Sequence, residues 1–440
     1  MDFINRILDK CVRSGAEMAE IYQLKQRNLF VSVRDGKVET VAKAAPGGIA
    51  IRYISFGKTA FAHTTDISDT AIDSMISRLS RLVKKTSKDE FTGLPSTQNY
   101  EHQPDIYNPE FIDISTDYKI EYLAKLEQLT LQYDTLITKA NVSYDETLAT
   151  HSIVNTNGAA MSYDSTLYTV SVMATALKKD EMFPGEGEFS ARYFNDLPGP
   201  EEIANQVASK AVRLIGGSVV ESGDYEIIFT PGAVPSFLWG LFFALKGDNY
   251  LKGASFLAGK IGRKIAVDKF NLYDNPLLPR GIDSRPADDE GVASKKLALI
   301  ENGILNEVLY DTKTAAKAGV ESTSSANRRD YSGFPEISAS NFYIGKGNDN
   351  FDDVVASCKK GIIVEQTQGW GINGITGQYS AGINGTLVRN GRIIKPVANV
   401  ALAASVDELF NRIEAICDDI TFYDNFNMPS IMVQKMKVGA

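Results

Sequence analysis

Along residues 1–90 the hydrophobic pattern changes from helical spacing to strand spacing and back. Residues 3–12 place their apolar side chains on one helical face. Alternating segments then flank Asp35 and Gly36, a pair that accepts the positive φ angles of a tight hairpin turn. After further strands, Ser68 is placed to cap a helix with apolar residues at i, i+3, i+4 and i+7. The pattern predicts a helix, a β-meander and a second helix.

The same order of elements recurs at 112–216, beyond a stretch rich in proline, asparagine and aspartate. The pattern predicts a helix at 118–133, strands on both sides of a turn at Asn157 and Gly158, and a closing helix. The two units share no strong sequence identity, so only their patterns are alike.

The remaining residues, 222–440, are predicted to form one larger domain. Hairpin turns are expected at Asn302 and Asn390, each followed by glycine, and a helix is expected at 406–417, ending on Cys417. Long crossover helices are few, which favours a mainly antiparallel α+β domain over a doubly wound sheet. The whole chain is therefore predicted to be α+β.

The segment 235–245 is predicted to be a helix that is apolar nearly all round, with Phe237, Trp239 and Phe243 among its large aromatic residues. Such a helix is either surrounded by its own domain or faces a partner subunit. Aromatic residues are enriched both in cores and at interfaces, so the pattern leaves both interpretations open.

The composition narrows the classes of function. The chain has 46 Lys and Arg against 55 Asp and Glu, a net charge of −9, and this argues against direct nucleic-acid binding, which normally needs a basic surface. The N-terminal residues do not have the pattern of a signal peptide, and the longest uncharged run, 227–245, contains two prolines and too short an apolar part to span a membrane. The three cysteines are scattered and odd in number, as a reducing cytosol permits. We expect a cytoplasmic protein without a membrane segment.

The sequence offers few residues for zinc or nucleophile chemistry. Its three histidines, His63, His102 and His151, are far apart, and none has a partner at the spacing of a helical zinc motif. Residues 369–374 match the pattern GxGxxG, but neither the helix nor the acidic residue that dinucleotide binding needs follows them. The preferred interpretation is a glycine-rich strand or loop that lets another backbone approach closely.

The densest carboxylate cluster lies in the loop 281–291 and consists of Asp283, Asp288, Asp289 and Glu290. Adjacent carboxylates can hold a hard cation or share a proton for acid–base catalysis. In a loop that precedes a hairpin they also serve as turn-forming groups paired with a basic residue such as Arg285. The sequence favours the second role.

Arg328 and Arg329 lie together in a polar run at 321–330. Two adjacent guanidinium groups can clamp a carboxylate or a peptide terminus through paired hydrogen bonds. The alternative is a solvated charged loop, which the polar surroundings favour.

Short motifs recur in a fixed order along most of the chain. Toward the N-terminus they are 19–22, 36–38 and 48–50, and in the last domain they are 288–291, 300–303, 321–329, 376–380, 388–391 and 395–397. In order and spacing they resemble the TldD/PmbA family, also called modulators of DNA gyrase. Each motif alone is weak, but their ordered recurrence is specific.

The resemblance implies one of two kinds of subunit. The TldD type carries His-Glu-xxx-His on a helix, with a later cysteine as a further zinc ligand, and cleaves unfolded peptides; the PmbA type, also called TldE, lacks these residues and pairs with it. Anchored on the shared ending 245–248, the zinc motif falls here on Leu238, Trp239 and Phe243, and 421–430 contains no cysteine. The chain is therefore similar to a PmbA/TldE-type subunit without catalytic or metal-ligating residues.

From this resemblance we expect a subunit of a cytoplasmic zinc metalloprotease complex that degrades or processes unfolded peptides, inactive when alone. The expected partners are a TldD-type catalytic subunit, which would hold the zinc, and unfolded peptides, with homodimers when that subunit is absent. The candidate binding residues remain Asp288, Asp289, Glu290, Arg328 and Arg329. Two alternatives stay open: an autonomous metal-dependent hydrolase that uses the 288–290 cluster, and a homodimeric binding protein that acts on DNA gyrase without proteolysis.

Overall fold

The computed structural model describes residues 1–439, with Ile112 described in its backbone only. The N-terminal part is built on a seven-stranded antiparallel sheet in the order β4-β3-β1-β5-β6-β7, with β2 paired to the second half of β1. Its strands are β1 (Met18–Arg34), β2 (Lys37–Ala44), β3 (Gly47–Ser55), β4 (Lys58–Thr64), β5 (Ile137–Asn155), β6 (Ala160–Lys178) and β7 (Glu181–Ala191).

The long pairing of β1 with β5 brings both predicted N-terminal units into this one sheet. It runs from the pair Glu20/Asn155 to the pair Val33/Val142. Buried side chains of the first two helices pack with β1 and β3, and those of the next two pack with β5, β6 and β7. These helices are α1 (Asp2–Arg13), α2 (Asp69–Leu82), α3 (Thr116–Gln132) and α4 (Pro200–Arg213).

The local turn and cap signals of this part are confirmed. Asp35 and Gly36 have φ angles of 52° and 68° between β1 and β2, as the hairpin turn requires. Ser68 accepts a hydrogen bond from the backbone N–H of Ala71 at the start of α2, so it caps the helix as predicted.

The C-terminal part is mainly antiparallel, as predicted. Its six-stranded sheet has the order β17-β16-β15-β8-β20-β18, in which β8 and β15 are the parallel pair, and an added pairing of β17 with β20 closes the sheet into a ring. The strands are β8 (Gly223–Phe229), β15 (Lys360–Ile372), β16 (Gln378–Arg389), β17 (Arg392–Ser405), β18 (Ile413–Ile416) and β20 (Ile431–Gly439).

A smaller sheet in the order β11-β10-β9-β14-β19, the pair β12–β13 and five helices complete this part. The strands are β9 (Leu272–Asp274), β10 (Leu297–Glu301), β11 (Ile304–Leu305), β12 (Ala326–Asn327), β13 (Glu336–Ile337), β14 (Phe342–Ile344) and β19 (Phe426–Asn427). The helices are α5 (Val234–Leu245), α6 (Gly247–Leu251), α7 (Thr312–Ala318), α8 (Phe351–Ser357) and α9 (Val406–Asn411). Among the described residues, no helix is long and apolar enough to cross a membrane.

The helix predicted at 406–417 is wrong in its second half. A capping box of Ser405 and Glu408 starts α9, which ends at Asn411, and β18 follows and pairs with β20. Glu414 is exposed between buried neighbours, and this strand-like alternation overlaps with the helical pattern of the preceding residues. Cys417 therefore lies just beyond a strand rather than on a helix.

Candidate functional site

Helix α5 holds the three positions at which the family resemblance places a zinc motif. Leu238 is fully buried in the C-terminal core, whereas Trp239 is 60% exposed and Phe243 is 39% exposed. The core interpretation is therefore confirmed for one face of the helix, and the partner-subunit interpretation stays a prediction for the other. One face packs inside its own domain and the other presents aromatic rings to solvent.

Glycines bring α5 into direct contact with the end of β15. A Cβ atom on Gly240 would lie 1.8 Å from the carbonyl oxygen of Ile372, and one on Gly371 would lie 2.0 Å from that of Ser236. Gly371 also has a φ of +62°, which residues with a side chain rarely adopt. The glycine motif at 369–374 thus lets a helix backbone meet a strand backbone, as the preferred interpretation predicted.

Exposed apolar side chains lie on α5 and next to the glycines of this contact. Phe243 packs against Gly374, since a Cβ on that glycine would lie 2.5 Å from its ring. Ile375, next along the chain, is 54% exposed, and Trp370, which precedes Gly371, is 90% exposed. We call Trp239, Phe243, Trp370 and Ile375 the α5 surface.

The described residues contain no group of three or more His, Cys, Asp or Glu side chains arranged to hold a metal ion. On α5 itself, the side chains of Leu238, Trp239 and Phe243 have no lone pair to offer zinc. Cys417 is fully buried, and burial raises the pKa of its thiol to about 12. Burial of Cys417 therefore favours the neutral thiol over the thiolate, which is the form that binds metals.

The acidic loop uses its first carboxylate to hold its own backbone. Asp288 Oδ1 accepts hydrogen bonds from the N–H groups of Glu290 (3.0 Å) and Val292 (2.9 Å), and Oδ2 accepts one from Ala326 (3.1 Å). Burial, with the negative charge of Glu290, raises the pKa of Asp288 to about 7. Both oxygens are engaged by backbone donors, so the geometry fits the turn-forming role better than a cation site.

Glu290 belongs to a buried ion network that joins the N-terminal sheet to the C-terminal part. Its carboxylate accepts a hydrogen bond from Arg52 Nη1 at 2.7 Å and one from the N–H of Thr312 at 2.8 Å. Arg52 also pairs with Glu20, and Glu20 pairs in turn with Arg328. Glu290 therefore pairs directly with Arg52 of β3. Arg285, which the sequence suggested, interacts electrostatically with carboxylates of the loop but forms no ion pair with the described residues.

The structure separates the two adjacent arginines. Arg328 is 5% exposed, donates from Nη1 to the carbonyl of Gly333 at 2.8 Å, and gives its backbone N–H to Asp289 at 2.6 Å. Arg329 is exposed. The prediction of a solvated loop is thus right for Arg329 and wrong for Arg328, and the pair does not form a joint clamp.

Sequence reasoning missed Glu20 and Arg52, the two network members in the N-terminal sheet. Each is a lone charged residue in an otherwise buried stretch of strand. A charge in such a place needs a partner, because an unpaired buried charge is strongly disfavoured. The lone charges within 19–22 and 48–53 therefore indicate that each needs a partner, but the sequence does not identify that partner.

Comparison with known proteins gives a consistent result over the whole chain. Residues 19–83, 109–215 and 222–440 match domain 1, the central domain and the C-terminal domain of the PmbA/TldA metallopeptidases. A Metalloprotease PmbA homolog from Haemophilus influenzae is 26% identical over 435 residues, which cover 98% of this chain and 94% of that protein. A Metalloprotease TldD homolog from Buchnera aphidicola is 27% identical over 410 residues, 89% of this chain and 83% of that protein.

A solved structure has the same fold. TldE from Thermococcus kodakarensis superposes with a TM-score of 0.91 and 22% identity, with all of both chains covered. At this identity the likeness establishes the fold alone.

Proposed function

This chain belongs to the PmbA/TldD metallopeptidase family, and from that premise we propose that it is the non-catalytic, PmbA/TldE-type subunit of a zinc metalloprotease. The catalytic subunit would be a TldD-type chain, and the substrates would be unfolded peptides in the cytoplasm. Zinc would be bound by the partner alone.

The proposal rests on the side chains that α5 has at the expected zinc-site positions. Zinc proteases need imidazole or carboxylate ligands and a carboxylate base to activate water. The three positions at which the resemblance places these groups carry Leu238, Trp239 and Phe243. None can bind zinc or accept a proton from water.

The α5 surface supports the subunit role. Large aromatic and aliphatic side chains that are exposed near one helix–strand contact favour a protein–protein contact there. Trp239 and Phe243 are four residues apart on α5 and therefore share one helix face. A helix that held ligands in a catalytic relative would here present a docking face to the catalytic subunit.

The test compares this chain alone, a TldD-type chain alone and the two mixed. We expect zinc, measured by mass spectrometry of the metal, and cleavage of an unfolded peptide only in samples that contain the TldD-type chain. A matched partner variant with the glutamate of its His-Glu-xxx-His motif replaced by glutamine should abolish cleavage in the mixture. Since this chain would supply no catalytic group, no residual activity should remain.

Two results would overturn the proposal. The first is stoichiometric zinc together with peptide cleavage in the isolated chain. The second is a mixture in which the two chains do not associate and the cleavage rate equals that of the TldD-type chain alone.

A further inference from the structure

A cavity of about 400 Å³ lies between the N-terminal sheet and the start of α3. Its lining residues come from β1, β2 and β5, from the segment that precedes α3 and from the first residues of α3. Small-molecule sites in proteins typically have volumes of roughly 300–1,000 Å³. The cavity, which we call the α3 cavity, therefore has room for a small ligand.

The strand register places several lining side chains of the sheet on one face. Leu29 of β1 lies opposite Lys43 of β2 and opposite Glu146 of β5. Arg27 precedes Leu29 by two residues and points to the same face, because side chains alternate along a strand. All four residues line the α3 cavity. Arg27 and Lys43 are thus diagonal neighbours across the β1–β2 pair.

These two cations have no partner within the chain. Arg27 and Lys43 are both exposed, and neither side chain forms an ion pair or a hydrogen bond with the described residues. Like charges at neighbouring cross-strand positions repel each other. An anion bound between Arg27 and Lys43 would relieve this repulsion.

Glu146 is the one acidic residue among the described residues that line the α3 cavity, and its charge is already paired. Its carboxylate contacts Lys119 Nζ at 2.5 Å and accepts a hydrogen bond from the Tyr144 hydroxyl at 2.6 Å. The side chains of Lys119 and Glu146 are only 3% and 7% exposed. Since this buried pair cancels its own charge, Arg27 and Lys43 leave the cavity with a net positive charge.

The inner part of the α3 cavity is apolar. Leu29 and Phe111 are each 5% exposed and belong to the hydrophobic core of this part of the sheet. Ile114 is partly exposed and packs against the same core. The cavity thus combines exposed cations, where it opens to solvent, with buried apolar side chains farther in.

We infer that the α3 cavity binds a small organic anion that carries an apolar group. Its carboxylate or phosphate would lie between Arg27 and Lys43, and its apolar group would pack against Leu29, Phe111 and Ile114. A guanidinium group binds two oxygens of such an anion through paired hydrogen bonds, and an ammonium group adds a point charge. An inorganic anion would leave the apolar side chains uncovered, and a cation would be repelled. The inference does not rest on the proposed function.

The experiment measures binding to the purified chain by ligand-observed NMR titration. The probes are phenylacetate, octanoate and phenyl phosphate, which differ in apolar group and in anionic group. Phenylacetate is compared with phenylacetamide, which has no charge, with 2-phenylethylamine, which has the opposite charge, and with acetate, which has no ring. We expect each of these three to bind about tenfold or more weakly, the effect of losing a hydrogen bond between charged groups or the burial of a ring.

The probes also distinguish two sources of the anion. Tighter binding of phenyl phosphate than of phenylacetate would identify phosphate esters as the natural ligands. The reverse order would identify carboxylic acids, and octanoate would then show whether an aliphatic chain is accepted in place of a ring.

Two variants locate the site. Arg27→Gln and Lys43→Gln each remove one charge from an exposed side chain without a partner, so both should fold, and each should weaken phenylacetate binding about tenfold. Lys25→Gln is the matched control. Lys25 is exposed on the same face of β1 and forms no ion pair with the described residues, but it does not line the cavity. This variant should bind phenylacetate like the parent, and circular dichroism establishes that all three variants are folded.

Three outcomes would overturn the inference. None of the three anionic probes binds, or phenylacetamide binds as tightly as phenylacetate, or the folded variants at Arg27 and Lys43 bind phenylacetate as tightly as Lys25→Gln does. These measurements involve neither zinc nor a TldD-type chain, so failure here leaves the proposed function untouched.

Discussion

Glu20 and Arg328 are 308 residues apart in the sequence and form an ion pair in which neither side chain is more than 1% exposed. Glu20 also pairs with Arg52, which reaches on to Glu290. Burial raises the pKa of Glu20, and the two guanidinium groups oppose that rise. These four residues therefore form one buried chain of alternating positive and negative charges, which joins the N-terminal sheet to the C-terminal part.

Glu20→Gln should destabilise the protein because it leaves two buried guanidinium groups without their shared counter-charge. Removing one partner of a buried ion pair costs about 3–5 kcal/mol. Urea unfolding at pH 7 measures the loss. The control is Glu39→Gln, which removes an exposed pair with Arg34 at 2.9 Å and should change the free energy of unfolding by less than about 1 kcal/mol. Equal effects of the two substitutions would contradict a stabilising role for the network.

Asp274→Asn should make the protein more stable than the parent at pH 8 but not at pH 4. Asp274 accepts hydrogen bonds from Ser340 N–H and Oγ at 2.8 and 2.7 Å, and burial raises its pKa from 3.8 to about 7. The folded state thus keeps a proton that the unfolded chain releases, and the stability this gives is complete below pH 4 and lost as the pH rises through 7.

An asparagine at 274 can accept the same bonds from Ser340 and never ionises. Relative to the parent, the free energy of unfolding should rise between pH 4 and pH 7 by up to about 4 kcal/mol and then stay level. Urea unfolding at a series of pH values measures this difference between variant and parent. Other titrating groups, such as Asp288, contribute to both proteins, so their contributions cancel. A difference that does not vary with pH would disprove the assigned ionisation.

Trp239→Ala should weaken association with a TldD-type chain while leaving this chain folded. A tryptophan at the centre of an interface contributes about 2 kcal/mol or more, close to thirtyfold in affinity. Because Trp239 is 60% exposed, its removal should change the free energy of unfolding by less than about 1 kcal/mol. Calorimetry of the two chains measures the affinity. Met182→Ala is the control, since Met182 is 73% exposed on β7. If both variants bound the TldD-type chain with the same affinity, the α5 surface would be excluded from the interface.

Structural features that depend on only a few neighbouring residues are predicted correctly from the sequence. The Asp35-Gly36 turn and the Ser68 cap depend on backbone conformations and hydrogen bonds that neighbouring residues determine. The end of α9 was not predicted, because β18 forms only through its pairing with β20, and Cys417 was therefore placed on a helix. Pairing between distant segments overrides a local helical pattern.

The candidate residues show the same limit. The sequence marked Arg328 and Glu290 as charged groups in polar loops, and their burial follows from Glu20 and Arg52, which lie some hundreds of residues earlier. No spacing rule connects such partners. The α5 positions were informative for another reason: the chemical nature of Leu238, Trp239 and Phe243 excludes metal ligation wherever they lie.

Gly240→Ala tests whether the contact between α5 and β15 holds the α5 surface in place, and here two effects oppose each other. Alanine is favoured over glycine inside a helix by about 1 kcal/mol, but its Cβ would lie 1.8 Å from the Ile372 carbonyl oxygen. Overpacking of this kind costs about 1–3 kcal/mol or more, and a backbone carbonyl in a strand cannot rotate away as a side chain can. We therefore expect a net loss of about 2 kcal/mol in urea unfolding.

The control is Gly93→Ala, because a Cβ on Gly93 meets no atom within 4 Å and its φ is not left-handed. That substitution should be neutral or stabilising by up to about 1 kcal/mol, since it restricts the unfolded chain. To accommodate the added methyl group, α5 must move away from β15 and carry Trp239 and Phe243 with it, so Gly240→Ala should also weaken binding to the TldD-type chain. Stability and affinity equal to those of Gly93→Ala would show that the close approach at Gly240 is not needed to position the α5 surface.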